Sequence, residues 1–230
     1  MASATLPRIL VHRLGNVLTP NWQVRPSPET VTAGVAEVDS LTGGLPRGSL
    51  TEIVGPASSG RTSLLLALMA AATAREEVCA LIDTADSLEP ASAAAAGVRL
   101  EKLLWVRCSG NAEHALKAAD LLVQGGGFGI VAMDLGDTPP RTAQRISMTS
   151  WFRLRRAVEH TPTVLVTVGP QAYAKTCASL VLECARERAA WSGTPGCSRL
   201  LRGIEVRTAG RKPVRHSTVR FRSRALPQEV

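Results

Sequence analysis

The sequence predicts an α/β domain: a central, mostly parallel sheet covered by helices, with an antiparallel extension at its C-terminal end. Three observations lead there. Short apolar runs of strand length alternate with helical segments between residues 50 and 168, the grammar of a parallel sheet buried on both faces. The first of these runs feeds a Gly- and Ser-rich loop that opens directly into an apolar helix. After residue 178 the grammar changes to strand-like runs with no long helix between them, as in antiparallel pairing.

Taken in order, residues 1–30 are interrupted by Pro7, Pro20, Pro26 and Pro28. The expected division is an N-terminal extension over 1–32, a core over 33–225 and a tail over 226–230. Within the extension only Ile9, Leu10, Val11 and Leu14 cluster as apolar residues, so Ile9, Leu10 and Leu14 are candidate partner-docking residues; covering an edge of their own sheet is the alternative. Residues 31–49 read as a turn-rich connector around Gly43-Gly44-Leu45-Pro46-Arg47-Gly48. A strand is expected at 50–54, a helix at 61–74 and a strand at 78–83. A helix follows at 88–96, started by Asp86 or Ser87 and stopped by Gly97. Next come a strand at 103–107, a helix at 112–124 capped by Asn111, and a strand at 129–134. A helix over 140–159 begins with proline in its first turn, and a strand at 163–168 closes the alternation. Further strands are expected near 178–184, 201–207 and 217–223.

Composition narrows the function classes. The longest apolar run, 64–74, ends at Arg75, Glu76 and Glu77 and is too short to cross a bilayer. The N-terminus lacks the basic and apolar pattern of a signal peptide. The five cysteines are scattered without CxxC spacing, so neither zinc nor any other structural metal is expected, and a reducing cytoplasm is. The net charge of +8 is concentrated: residues 199–224 hold nine of the 27 Lys and Arg against Glu205 alone. A basic surface of this kind suits a nucleic-acid backbone or an acidic partner, with Arg211, Lys212 and Arg215 as its candidate residues. The alternative is an ordinary solvated face of alternating strands, as Val219-Arg220-Phe221-Arg222 suggests.

The sharpest motif is Gly55-Pro56-Ala57-Ser58-Ser59-Gly60-Arg61-Thr62-Ser63. It follows the phosphate-loop pattern G-x-x-x-x-G-K-[ST], whose backbone amides cradle phosphates while Lys reaches the β/γ-phosphates and a hydroxyl serves Mg²⁺. Gly55, Gly60 and Thr62 fit; Arg61 stands where Lys should be, a broad planar fork in place of a compact ammonium. Candidate nucleotide-binding residues are Gly55, Ser58, Ser59, Gly60, Arg61, Thr62, Ser63 and Asp134. Ligands of such sheets bind outside the carboxyl ends of the strands, which brings the loop, Asp83 to Asp86 and Asp134 together. Asp134, ending an apolar strand, suits the acid that holds Mg²⁺ through water, so Thr62 and Asp134 are the candidate magnesium residues if nucleotide binds.

The Gly-Leu-Pro-x-Gly lead-in, the Gly-Pro-x-Ser-Ser-Gly loop and Cys79-Ala80-Leu81-Ile82-Asp83 together resemble the RecA recombinase family over roughly residues 33–223. The resemblance implies a RecA-like P-loop core. It also implies what has been lost. The family's water-activating glutamate falls at Ala85, with only Asp86 beside it, so no catalytic residue is assigned. The family's γ-phosphate-sensing Asn-Gln pair falls at Gly169-Pro170, and its long DNA loop shrinks to Gln171–Cys177. This pattern of losses is similar to the ImuA-like accessory proteins of bacterial translesion synthesis. It implies a regulatory role, weak Mg-ATP binding at most, and contacts with RecA or an ImuB-like inactive polymerase homologue. DNA binding, if it occurs, is expected to be weak and non-specific. Two other functions stay open: an active DNA-dependent ATPase serving as a small recombination mediator, and a nucleotide-stabilised structural module.

Overall fold

The structure, a computed structural model, describes residues 29–193, 199–213 and 217–224. One sheet dominates it. In chain order its strands are β3 (Ser49–Val54), β4 (Cys79–Asp83), β5 (Leu103–Arg107), β6 (Ile130–Asp134), β7 (Val164–Gly169), β8 (Leu180–Ser192), β9 (Leu200–Lys212) and β10 (Thr218–Arg224). Their spatial order is β10-β9-β8-β3-β7-β6-β4-β5. Every pairing from β8 through β5 is parallel, and β9 pairs antiparallel with both β8 and β10. The predicted architecture is therefore the observed one. Two short strands, β1 (Thr30–Val31) and β2 (Leu45–Pro46), pair antiparallel outside the sheet.

Side-chain alternation divides the core into two layers. Ile53, Ile130, Ala132, Val164, Val166 and Val168 face one cluster, which α1 (Ala36–Thr42) and α2 (Arg61–Ala74) cover with Val38, Leu64, Leu68 and Met69. Leu50, Val54, Val131, Met133 and Leu165 face the other, covered by α4 (Ala112–Gly125) and α6 (Met148–Val158) with Ala115, Ala119, Trp151 and Leu154. This period of two on strands buried from both sides explains why their sequences read as unbroken apolar runs. Trp151 is fully buried, and truncating it to Ala is expected to cost about 3–5 kcal/mol.

Several elements differ from expectation for local reasons. The turn-rich connector holds α1, because the Asp39 carboxylate accepts from the Ala33 amide at 2.7 Å and from the Thr32 hydroxyl, and Gly43 closes the helix at φ 76°. The helix expected at 88–96 is α3 (Pro90–Ala95), and its cap is Glu89, not Asp86 or Ser87. The helix expected over 140–159 is broken into α5 (Pro140–Ala143) and α6, because Ser147 starts a new helix by capping the Ser150 amide. Both hairpin strands β8 and β9 run to 13 residues, beyond the apolar stretches that announced them. Ile9, Leu10, Leu14 and Arg215 lie outside the described residues.

Candidate nucleotide site and basic face

The site forms where β3, β4, β6 and β7 end. β3 delivers the chain into the loop at Gly55, whose amide donates to Gly169 O at 3.1 Å and ties the loop to the end of β7. The loop turns back at Ser58 (φ 59°) and Gly60 (φ 91°) and enters α2 at Arg61. Glycine is required at position 60 on two counts. The left-handed backbone disfavours a Cβ, and one placed there would lie 2.3 Å from Val206 Cγ2 on β9. Gly55 is equally confined, with Cys184 O at 2.4 Å from a hypothetical Cβ. The start of β8 and the middle of β9 thus press on the loop from behind. Ser223 of β10 hydrogen-bonds Ser63 hydroxyl to hydroxyl at 2.9 Å.

A cavity of about 300 Å³ opens over this loop. Ser58, Ser59, Gly60, Arg61, Thr62 and Ser63 line it together with Asp83, Asp134, Asp137 and Ile204. The amides of Ala57, Ser58, Gly60, Arg61, Thr62 and Ser63 make no hydrogen bond among the described residues. Ser59 is 1% exposed and its hydroxyl has no partner there. A row of free amides at a helix N-terminus with a buried orphan hydroxyl is the donor set an anion needs. On the phosphate side the residues fit a nucleotide.

The cation side is different. Arg61 is 8% exposed. Its Nη1 donates to Gly55 O at 2.6 Å and its Nη2 donates to Gly136 O at 3.0 Å, with Asp137 Oδ1 at 4.0 Å. The guanidinium braces the base of the loop against the turn after β6. Asp134 Oδ1 accepts the Gly136 amide at 2.7 Å. Burial pushes the Asp134 carboxyl above its usual range, and the Gly136 amide and Arg61 offset only part of that.

The other predicted acids are also committed. Asp83 caps the turn after β4, accepting from the Ser87 and Leu88 amides at 3.0 and 2.8 Å and from Trp105 Nε1 at 3.2 Å. Asp86, at φ 57°, takes the Ser109 amide and Arg107 instead of lining the cavity. Ala85 carries only a methyl group. Where the γ-phosphate sensor was sought, Gly169 lies under the ring of buried Tyr173, whose Cε2 would be 3.0 Å from a Cβ there. Gln171 is exposed and does not line the cavity.

Two residues that hold this region went unnoticed as such in the sequence. Glu52, buried on β3, accepts the Tyr173 and Ala174 amides on Oε1 at 2.8 and 2.9 Å. Burial pushes its carboxyl up, and those two amides oppose the shift. Lys212, at the end of β9, donates to Lys175 O, Thr176 O and Ala178 O. The 170–178 connector is thereby held by its amides on one side and its carbonyls on the other. A lone Glu in an apolar strand was the one available signal, since a buried carboxylate must find donors.

The basic face is the exposed side of β8, β9 and β10. Arg211 pairs with Glu183 at 3.6 Å, and Arg207 and Arg220 share Glu187 at 3.4 and 2.6 Å. Lys212 points inward. Arg188, Arg202, Arg222 and Arg224 make no ion pair among the described residues and line a groove of about 450 Å³ with Glu205. The arginines of this groove lie toward the far end of the hairpin from Arg211, which is paired, and from Lys212, whose ammonium is spent on carbonyls. Cys79, Cys108, Cys177 and Cys184 are buried thiols. Among the described residues no cluster of metal-ligating side chains occurs, and no helix is long and apolar enough to cross a membrane.

Comparison with known proteins adds lineage to geometry. The RecA N-terminal domain family model matches residues 13–142. The RecA protein of Deinococcus radiodurans is 31% identical over 170 residues, covering 67% of this chain and 47% of its own length. That of Laribacter hongkongensis is 37% identical over 123 residues, 52% of this chain and 34% of its own. The chain spans about half the length of the curated relatives it matches, or less. Among solved structures, the crystal structure of the RadB recombinase superposes with a TM-score of 0.60 at 17% identity, covering 83% of this chain and 94% of that one. At that identity the likeness is one of fold.

Proposed function

The chain belongs to the RecA family, and from that premise we propose that it is an accessory member whose nucleotide site is degenerate and which acts through protein contacts. Its proposed partners are RecA and an ImuB-like polymerase homologue. The proposed setting is the DNA damage (SOS) response and translesion synthesis of a bacterial cytoplasm, as for the ImuA-like proteins that its pattern of losses resembles. The observation that carries the proposal is the side chain of Arg61. The position that should bring a positive charge to the β/γ-phosphates spends both guanidinium ends on backbone carbonyls. Phosphoryl transfer depends almost entirely on positioning and charge stabilisation, and Ala85 supplies no base for the attacking water.

A bound Mg-nucleotide would be held by the amides of residues 57, 58 and 60–63, with Thr62 and Asp134 toward the ion. What the ion supplies when bound is charge on the phosphate oxygens. The chain's own part is to receive the phosphates in a preformed cradle and to hold that cradle rigid through Arg61, Val206 and the Ser63–Ser223 bond.

Phosphate release, measured with and without single-stranded DNA, tests the degenerate site. Loss of a positioned base alone lowers a rate by about 10²–10⁴, so turnover at the level of a buffer control is expected. Turnover near one per second (the lower end of ordinary enzyme rates, ~1 s⁻¹) that Thr62→Ala abolishes would instead establish the active mediator, which the preserved amide cradle favours. Contacts are tested by co-purification with RecA and with the polymerase homologue. The Ile9→Ser, Leu10→Ser, Leu14→Ser variant is expected to lose binding at an unchanged melting temperature. A lowered melting temperature would assign those residues to the chain's own core.

A further inference from the structure

We propose that the phosphate loop binds the diphosphate portion of a nucleotide and does not distinguish a nucleoside triphosphate from a diphosphate. The proposal rests on the degenerate-site assignment above but concerns what the site recognises, not whether it turns over. In a phosphate loop, the backbone amides cradle the α- and β-phosphates and the Lys reaches the β/γ-phosphates. Here the first set is intact. The amides of Ala57, Ser58, Gly60, Arg61, Thr62 and Ser63 are free among the described residues, and the buried Ser59 hydroxyl is unpartnered.

The second set is absent as a unit. Arg61 Nη1 and Nη2 are bonded to Gly55 O and Gly136 O at 2.6 and 3.0 Å. Releasing them would strand two carbonyls and move a buried guanidinium out of a fitted position beside Gly136, where a Cβ would lie 2.8 Å from Nη2. Gln171 does not reach the cavity. The remaining charged groups on the lining are Asp83, Asp134 and Asp137, so the side chains offer a third phosphate no free cation. A terminal phosphate that gains no contact adds no affinity and has no differential interaction with which to shift a conformational equilibrium. The nucleotide then serves as a fixed structural ligand, and exchange of triphosphate for diphosphate leaves the fold unchanged.

Calorimetric titration with Mg-ADP and with a non-hydrolysable Mg-ATP analogue tests this, with thermal melting as a second readout that follows affinity by mass action. Dissociation constants within about threefold of each other are expected, with equal rises in melting temperature at equal saturation. A preference of about tenfold or more for either ligand would overturn the proposal, as would failure of both ligands to bind. Arg61→Lys removes the forked brace and restores a compact ammonium, so a triphosphate preference is expected to appear in that variant. An Arg61→Lys protein that melts cooperatively and still binds both ligands equally would overturn the assignment to Arg61. Gln171→Ala is expected to leave both constants unchanged, and a selective loss of triphosphate affinity in it would overturn the proposal as well. Partner binding and phosphate release are read separately, so either proposal can fail without the other.

Discussion

Glu52 shows how much a single buried group can carry. Its carboxylate holds the amides of Tyr173 and Ala174, and removing it leaves two buried donors unpaired. Glu52→Ala is expected to lower stability by about 3 kcal/mol, since each orphaned buried group costs ~1–3 kcal/mol. Glu52→Gln keeps an accepting oxygen and is expected to stay close to wild type. The two variants also separate in pH dependence. Burial raises the folded-state pKa above the ordinary value of 4.5, so the folded chain keeps a proton that the unfolded chain has released. This contribution to stability is fully present below about pH 4.5 and is lost as pH rises through the raised folded value. Glu52→Gln should remove that decline from denaturation midpoints measured across the window. A slope identical to wild type would mean that Glu52 does not titrate with folding.

Gly60 makes the complementary point, because its requirement comes from a contact distant in sequence. The phosphate-loop pattern already asks for glycine there. The 2.3 Å approach to Val206 Cγ2 is invisible until β9 is placed. Gly60→Ala is expected to cost about 3 kcal/mol or more, combining left-handed strain of ~1–2 kcal/mol with overpacking. In a Val206→Ala background the same substitution should cost less, because the overlap is relieved. Additive losses in that double-mutant cycle would show that β9 does not press on the loop.

At the scale of elements, the parallel core and the antiparallel extension were legible, and the bounds of that extension were not. The strands β3, β4, β6 and β7 are almost wholly buried, so composition alone announces them. The bounds of β8 and β9 were missed because their outer halves are exposed and charged (Ala185-Arg186-Glu187-Arg188). Strand character there comes from hairpin pairing rather than from burial. Helix α1 was missed because it is seven residues long and is held by one residue, Asp39 inside the helix, reaching back to the Ala33 amide before it. In the site, the loop and the acids were legible as a constellation, and the direction of each side chain was not. Arg61 was recognisable as a wrong residue, but its turn toward Gly55 O and Gly136 O depends on where the chain passes after β6. The clamp on the 170–178 connector has the same origin, since Lys212 is 34 residues or more from the carbonyls it holds. Lys212→Met preserves most of the stem and removes the ammonium. It is expected to cost about 2 kcal/mol, the range for charged hydrogen bonds, and to speed amide exchange at Tyr173 and Ala174 before any change in the core strands. Uniform acceleration across the sheet would argue that the connector is not an independent unit.

For the whole molecule the decisive quantity is where charge remains after pairing. The sequence places its excess in residues 199–224, and Glu183 and Glu187 neutralise part of it from β8. Among the described residues, the arginines left without an ion pair that gather in one place are Arg188, Arg202, Arg222 and Arg224, which line a groove with Glu205. Nucleic acid bound there would be held through its phosphates, because among the described residues no aromatic side chain lines the groove and Phe221 is buried in the core. Binding would then be independent of sequence and would weaken steeply with salt, as counterions are released. Arg202→Ala, Arg222→Ala, Arg224→Ala together are expected to reduce the slope of log affinity against log salt on single strands by about 2, at ~0.7 per phosphate contact. These side chains are exposed, so the melting temperature should hold. Arg211→Ala should matter less, since it frees Glu183 as it removes a charge. An unchanged affinity and slope in the triple variant would eliminate the groove. If substituting Arg211, Lys212 and Arg215 abolished binding while the groove variant bound normally, the contact would lie where the sequence alone had placed it.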